Sequence, residues 1–220
     1  MRNLVIGASG GIGRAVVSYL KDRQDEVVTA SRSENGLDIR DEASVNAWAD
    51  SLSGEFDRIL IITGALTLDG AGPEKTINAL TADNMTAQFQ TNALGPALLI
   101  KHLHPFLPTD RRGVIAALSA RVGSIGDNRL GGWVSYRAAK AALNQIVHSA
   151  AIEIGRKRQD AVVVAYHPGT VRTALTEKYV GSHPAVEQSE AASNMIRVLD
   201  SLAPSDSGGF FDWKGEAVPW

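Results

Sequence analysis

An α/β fold, doubly wound about a parallel sheet, is predicted by three features of this 220-residue sequence. Short apolar runs alternate with longer segments of helical period, their order is βαβ almost throughout, and no linker or composition shift divides the chain. A length of 220 residues is enough to bury one sizeable core, so a single domain is the simplest account. Hydrophobic content is 44%, charged content 21% and formal net charge −2, which leaves no large field for a nucleic-acid backbone or an anionic membrane. The chain has no cysteine, which excludes a disulfide scaffold, a thiolate zinc site and a cysteine nucleophile together. No apolar run approaches a membrane span or a signal peptide, so a soluble, unprocessed, cytoplasmic protein is expected.

In chain order, strands are expected at 4–6, 27–30, 36–39, 59–63, 114–118, 161–166 and 210–212, a seven-stranded sheet. Helices are expected at 11–23, 42–52, 81–106, 134–156 and 188–201, each with apolar residues three and four apart, on both faces of the sheet. The stretch between Arg32 and Asp38 is too short for a crossover helix, so one such helix should be missing after the second strand. The 81–106 segment contains Gly95 and Pro96 and should bend or break there.

The first strand runs into Gly7, Ala8, Ser9, Gly10, Gly11, Ile12 and Gly13, and a helix follows at once. Glycines at 7, 11 and 13 permit a tight turn, a close backbone approach to phosphate oxygens and close helix packing. Amides at the helix N-terminus then face a dinucleotide pyrophosphate, with Ser9 and Ile12 in the loop. No Gly-Lys-Ser/Thr ending is present, which disfavours a triphosphate loop. The second strand ends in Ser31 and Arg32 where an acidic residue would hold ribose hydroxyls. A hydroxyl followed by a guanidinium suits a 2′-phosphate, so NADP(H) is preferred over NAD(H).

Tyr136 and Lys140, four residues apart on one alanine-rich helix, share a face. A phenol is a poor acid or base at neutral pH, and a neighbouring ammonium favours its anion. Tyr136 can then exchange a proton with a carbonyl or alcohol oxygen while hydride moves to or from the cofactor. Pro96 has no amide hydrogen for the carbonyl of Asn92 four residues earlier, which leaves that carbonyl open to a water.

In this order the sequence resembles the short-chain dehydrogenase/reductase family over nearly its whole length. The residues that carry the resemblance are the glycine loop, Asp38, Asn92, Tyr136 with Lys140, and His167-Pro168-Gly169 through Thr173. The stretch from Gly123 to Tyr136 and the Pro219-Trp220 pair are most similar to its C-factor-like, cell-signalling branch. The resemblance implies a single-domain Rossmann fold with Asp38 and Ile39 beside the adenine and Gly64 at the ribose. It also implies Lys140 on the nicotinamide ribose, and Pro168, Gly169, Val171 and Thr173 around the nicotinamide. It makes Asn92 the support of a proton relay, and a homodimer or homotetramer is implied with it.

The sequence departs from the family pattern at two places, Ala120 and the Ile62-Thr63 pair. Ala120 stands where the family carries the hydroxyl that holds the substrate oxygen, and Ser119 precedes it. Ser119 reaches the substrate only where the strand has ended or bulged, and Ser124 on the following loop is a second candidate. Thr63 replaces the alanine of a common Asn-Ala-Gly, and Ile62 the asparagine. His102, His104 and His148 lack metal-ligand spacing, so no metal site is expected. Trp133 is a candidate wall of the substrate pocket, and a short lid is expected at 174–184, with Glu177, Lys178 and Tyr179.

The leading expectation is an NADP(H)-dependent reductase of a small carbonyl compound, with Tyr136 as proton donor. Two alternatives stay open: a cofactor-binding signalling protein with little or no turnover, and a pteridine reductase. Tyr136 and Lys140 speak against the first, because a sensor needs no proton donor.

Overall fold

Alternation along the strands sorts side chains onto two faces of one sheet, and each face buries its own core. The computed structural model describes residues 1–68, 70–173, 176 and 185–220. Strands β1 (Arg2–Ile6), β2 (Glu26–Ala30), β3 (Arg58–Ile61), β4 (Gly113–Leu118), β5 (Ala161–His167) and β6 (Phe210–Asp212) form a six-stranded sheet in the order β2-β1-β3-β4-β5-β6. Every pairing is parallel. Leu4, Ile6, Ile115 and Val163 point to one face, where they meet Leu99, Leu143 and Val147. Val5, Leu60, Val164 and Tyr166 point to the other, against Val16, Leu20, Met195 and Ile196. Helix α1 (Gly11–Asp22) packs on the C-terminal α7 (Gln188–Ser201) on that second face.

The seventh strand expected at 36–39 is absent among the described residues. Instead Arg32–Asn35 form a one-turn helix, α2, closed by Gly36 in the left-handed region at φ +71°. Local polar groups take the backbone bonds that a sheet edge would need. The Glu34 amide donates to Ser31 Oγ at 3.2 Å, the Ser31 amide to Asn35 Oδ1 at 3.0 Å, and the Asp38 amide to Ser44 Oγ at 3.1 Å. The crossover expected to be missing therefore has no strand to reach, and β2 connects to β3 through α2 and α3 (Glu42–Asp50).

The long helix expected over 81–106 breaks where Gly95 and Pro96 require. It resolves into α4 (Ala82–Phe89), a π turn at Gln90–Leu94, α5 (Gly95–Leu103) and a final 3-10 turn at His104–Phe106. The Gly95 amide bonds the Gln90 carbonyl, five residues back, as the wider turn demands. Helix α6 (Val134–Gly155) packs against α4, α5 and β5. The chain leaves β1 towards β2 but returns on β1's other side as β3, so the strand order reverses there and opens a crevice beyond the strand ends. Among the described residues, no helix is long and apolar enough to cross a membrane.

Candidate active site

The glycine loop closes this crevice. Gly7 adopts φ +87°, and a Cβ there would stand 2.3 Å from the Ile62 carbonyl oxygen. A Cβ at Gly13 would stand 2.2 Å from the Gly7 carbonyl oxygen, so any side chain at either position would separate loop, helix and sheet. Gly11 faces Thr173 and Gln188, each 3.1 Å from where its Cβ would be. The N-cap of α1 is Gly10, no side chain caps the helix, and its first turn holds no acidic residue. Its first amides are thus left for an anion. Ser9 and Ile12 lie half-buried in the loop, and the Ser9 carbonyl accepts from the Arg14 guanidinium. Thr63 Oγ1, beside Gly7 at the end of β3, is buried without a hydrogen-bond partner. An open amide cradle, glycines that admit no side chain and an unspent hydroxyl fit a dinucleotide.

At the end of β2, Ser31 is buried and its hydroxyl caps α2, while Arg32 is exposed at the first position of that helix. The Asp38 carboxylate is held by Arg40, with Nε at 3.1 Å and Nη2 at 3.0 Å. Arg40's hydrogen bonds, with a smaller contribution from the Arg32 charge, keep Asp38 below the ordinary carboxylate range. Ile39 packs over Gly95, where a Cβ would lie 2.8 Å from its Cδ1.

Gly64 joins the cradle to the chemistry. A Cβ on Gly64 would lie 3.2 Å from Asn92 Oδ1 and 3.4 Å from Lys140 Nζ. Asn92, fully buried on the π turn, donates to the Ala65 carbonyl at 2.9 Å and accepts from the Ala65 amide at 3.0 Å. Lys140 Nζ donates to the Leu118 carbonyl at 2.8 Å and stands 5.8 Å from the ring centroid of Tyr136. Burial pushes the Lys140 ammonium down to about 7 and the Tyr136 phenol up to about 12. The direction at Tyr136 is opposite to that expected from a neighbouring ammonium, because burial disfavours the charged form of both groups. Trp133 meets Tyr136 edge-on, with ring centroids 6.3 Å apart.

Both candidate serines point to other partners. Ser119 Oγ donates to Asn144 Oδ1 at 2.6 Å, and Ser124 Oγ accepts from the Asp127 amide at 3.1 Å. Ala120 lies half-buried in extended backbone between them, with nothing to donate. Pro168 is buried, and Gly169 turns at φ +79° against the Trp213 ring. Val171 pairs with Val186, and the Thr173 amide donates to Thr176 Oγ1 at 3.1 Å. Of the lid expected at 174–184, Thr176 alone is described; Glu177, Lys178 and Tyr179 lie outside the described residues.

Glu74, Asn84, Gln88, Ser135 and Asn144, all buried, are polar residues beside the site that the sequence analysis did not single out. Two of them carried a signal, since Asn84 and Gln88 precede Asn92 at intervals of four on a helix whose inward face should be apolar.

The family profile described as enoyl-(acyl carrier protein) reductase matches residues 7–203. A 1-hydroxy-2-glutathionyl-2-methyl-3-butene dehydrogenase of Rhodococcus sp. (strain AD45) is 32% identical over 233 aligned positions, covering 99% of this chain and 98% of its own. The chain belongs to the short-chain dehydrogenase/reductase family of oxidoreductases. The C-signal protein of Myxococcus xanthus is 35% identical over 137 positions, covering 62% of this chain and 79% of its own. Among solved structures, an NADPH-bound carbonyl reductase from chicken fatty liver superposes with TM-score 0.84 at 25% identity, covering 100% of this chain and 98% of its own. A short-chain dehydrogenase/reductase from Burkholderia multivorans with bound NADP superposes with TM-score 0.80 at 27% identity, covering 100% and 99%.

Proposed function

We propose that this chain is an NADPH-dependent reductase of small carbonyl compounds, with Tyr136 as the proton donor. The observation that carries the reading is the convergence of Gly64, Asn92 and Lys140 at one point of the crevice, with Tyr136 on the same helix face as Lys140. The glycine loop with Ser9 and Ile12 would hold the pyrophosphate, Ser31 and Arg32 the 2′-phosphate, and Asp38 and Ile39 the adenine. Lys140 and Gly64 would hold the nicotinamide ribose, and Pro168, Gly169, Val171 and Thr173 the nicotinamide. When bound, NADPH supplies the hydride.

The remaining chemistry falls to side chains. Burial keeps the Tyr136 phenol protonated at neutral pH, which suits an acid. Hydride addition to the carbonyl carbon forms a C–H bond and leaves the pair of the broken C=O π bond on oxygen, which is then far more basic than a phenolate, so proton transfer from Tyr136 runs downhill even from a raised pKa. Lys140 then favours the phenolate that remains, and Asn92 supports the path by which the proton is replaced. Ser119 belongs to this machinery through Asn144 and α6, since its hydroxyl is engaged there. A second copy of the chain would cover the apolar face formed by Met85, Phe89, Leu94, Ala97, Ala142 and Ile146.

The test is NADPH consumption over aldehydes, ketones, quinones, pterins and glutathione-conjugated carbonyls, for wild type and Tyr136→Phe, with NADPH binding measured in both. Turnover lost in the variant with binding retained is the expected result. Binding without turnover in either protein would overturn it and favour the signalling reading, to which Ala120 and the C-signal likeness lend support.

A further inference from the structure

Helix α6 begins without a cap of its own: the Trp133 side chain at its N-cap makes no capping bond to the first turn, and that turn has no acidic residue. A carboxylate reaches it from elsewhere. Glu74, on the connection between β3 and α4, is 5% exposed and receives the Ser135 amide at 3.3 Å, the Ser135 hydroxyl and Asn84 Nδ2 at 2.8 Å. The Trp133 amide donates to the Glu74 carbonyl, and Trp133 itself sits at φ +53°, where side chains rarely go. Gly132, at φ +64°, packs its Cα side against the Lys75 carbonyl. The segment from Glu74 to Lys75 thus straps down the turn at Gly132 and Trp133 that launches the helix, and the Glu74 carboxylate holds Ser135, one residue before Tyr136.

The strap is anchored in its turn. Gln88 Nε2 donates to the Leu66 carbonyl at 3.1 Å, and Gln88 Oε1 accepts from Asn92 Nδ2 at 2.7 Å. Asn84, Gln88 and Asn92 therefore pin the same connection at Glu74, Leu66 and Ala65. A buried carboxylate is costly unless every lone pair is used, and here donors from two elements meet it. Burial pushes Glu74 up, yet the bonds from Ser135 and Asn84 outweigh that and hold it below its ordinary value.

We propose that Glu74, backed by Asn84 and Gln88, is a positioning residue that caps the Tyr136 helix from outside and fixes the phenol relative to Lys140. Its link to catalysis rests on the reductase reading; its hold on the helix does not. Negative charge at a helix N-terminus is favourable in itself, and a bonded carboxylate gives it a fixed place.

The experiment uses the full chain and two readouts: amide hydrogen exchange of the 131–140 segment, and kcat per NADPH-binding site with KM for the carbonyl. Glu74→Gln replaces one acceptor oxygen with a donor. Exchange at the helix start should quicken, and kcat should fall on the order of tenfold while KM and the NADPH Kd stay within about twofold. Asn84→Asp alone sets two carboxylates face to face and should fall likewise. The double variant Glu74→Gln/Asn84→Asp should recover only part of the loss, because the bond between residues 74 and 84 is restored while the carboxylate facing Ser135 is not. Ser135→Ala, which removes the hydroxyl donor alone, carries the same test where Glu74→Gln does not fold, with kcat reduced roughly threefold. Unchanged exchange, faster exchange with unchanged kcat per site, or a double variant no better than Asn84→Asp alone overturns the proposal. A wild type that turns over no carbonyl would sink the reductase reading instead, and exchange in the same variants then decides the cap.

Discussion

The Ser119 hydroxyl donates to Asn144 Oδ1 at 2.6 Å, which ties the end of β4 to the helix carrying Tyr136 and Lys140. The next residue, Ala120, stands where a second donor to the substrate oxygen belongs in the family pattern. Ala120→Ser should therefore raise kcat on small aldehydes, on the order of tenfold, since a single missing donor of this kind can cost a hundredfold or more. Steady-state NADPH oxidation by the variant checks it; an unchanged kcat with an intact fold would mean that another group already holds the oxygen.

Arg32 is exposed on the first turn of α2, and Arg40 engages Asp38 nearby. Reversing the charge at position 32 sets a carboxylate against a 2′-phosphate and offers ribose hydroxyls an acceptor. Arg32→Asp should weaken NADPH binding roughly ten- to a hundredfold, the value of a charged hydrogen bond, and strengthen NADH binding. Fluorescence titration with both cofactors measures this, and an unchanged ratio of the two Kd values would remove the reason for assigning NADPH.

Lys140 is buried, and its ammonium is pushed down to about 7, against an ordinary value near 10.5. Between those pH values the unfolded chain holds a proton that the folded chain does not, so stability rises with pH. Below about pH 7 both states are protonated and the full cost of burying the ammonium applies; above about 10.5 neither is. The cofactor-free protein should gain about 2 kcal/mol from this group between pH 7 and 9. Urea unfolding of wild type and Lys140→Met at both pH values isolates the contribution, which should be missing from the variant.

Much of the architecture was legible because local chemistry determined it. Gly7 and Gly13 sit where a Cβ would strike carbonyl oxygens, a demand that a sequence displays openly. Pro96 announced the break that the structure realises as a π turn, and the spacing of Tyr136 and Lys140 placed both on one helix face. What stayed hidden depended on partners distant in sequence or on competing side chains. The strand expected at 36–39 lost to the bonds of Ser31, Asn35 and Ser44, which no count of apolar residues registers. Glu74 reads as an ordinary loop glutamate until Ser135, 61 positions away, folds against it. Asn144 likewise gives no sign in the sequence that it will receive Ser119.

Gly64 offers the most direct test of where cofactor and proton relay meet. Its backbone lies at φ +156°, and the space above its Cα is bounded by Asn92 Oδ1 and Lys140 Nζ. A methyl group there would stand 3.2 and 3.4 Å from those atoms, tight against a polar pair already fixed by Ala65, Gln88 and Leu118. Gly64→Ala should lower the stability of the cofactor-free protein by about 1 to 2 kcal/mol, from backbone strain and crowding together. It should also weaken NADPH binding at least tenfold, since the ribose would have to approach over the new methyl. Thermal unfolding and fluorescence titration separate the two effects. Lost stability with unchanged NADPH affinity would place the cofactor elsewhere, and the convergence of Gly64, Asn92 and Lys140 would then be a packing arrangement without a role in binding.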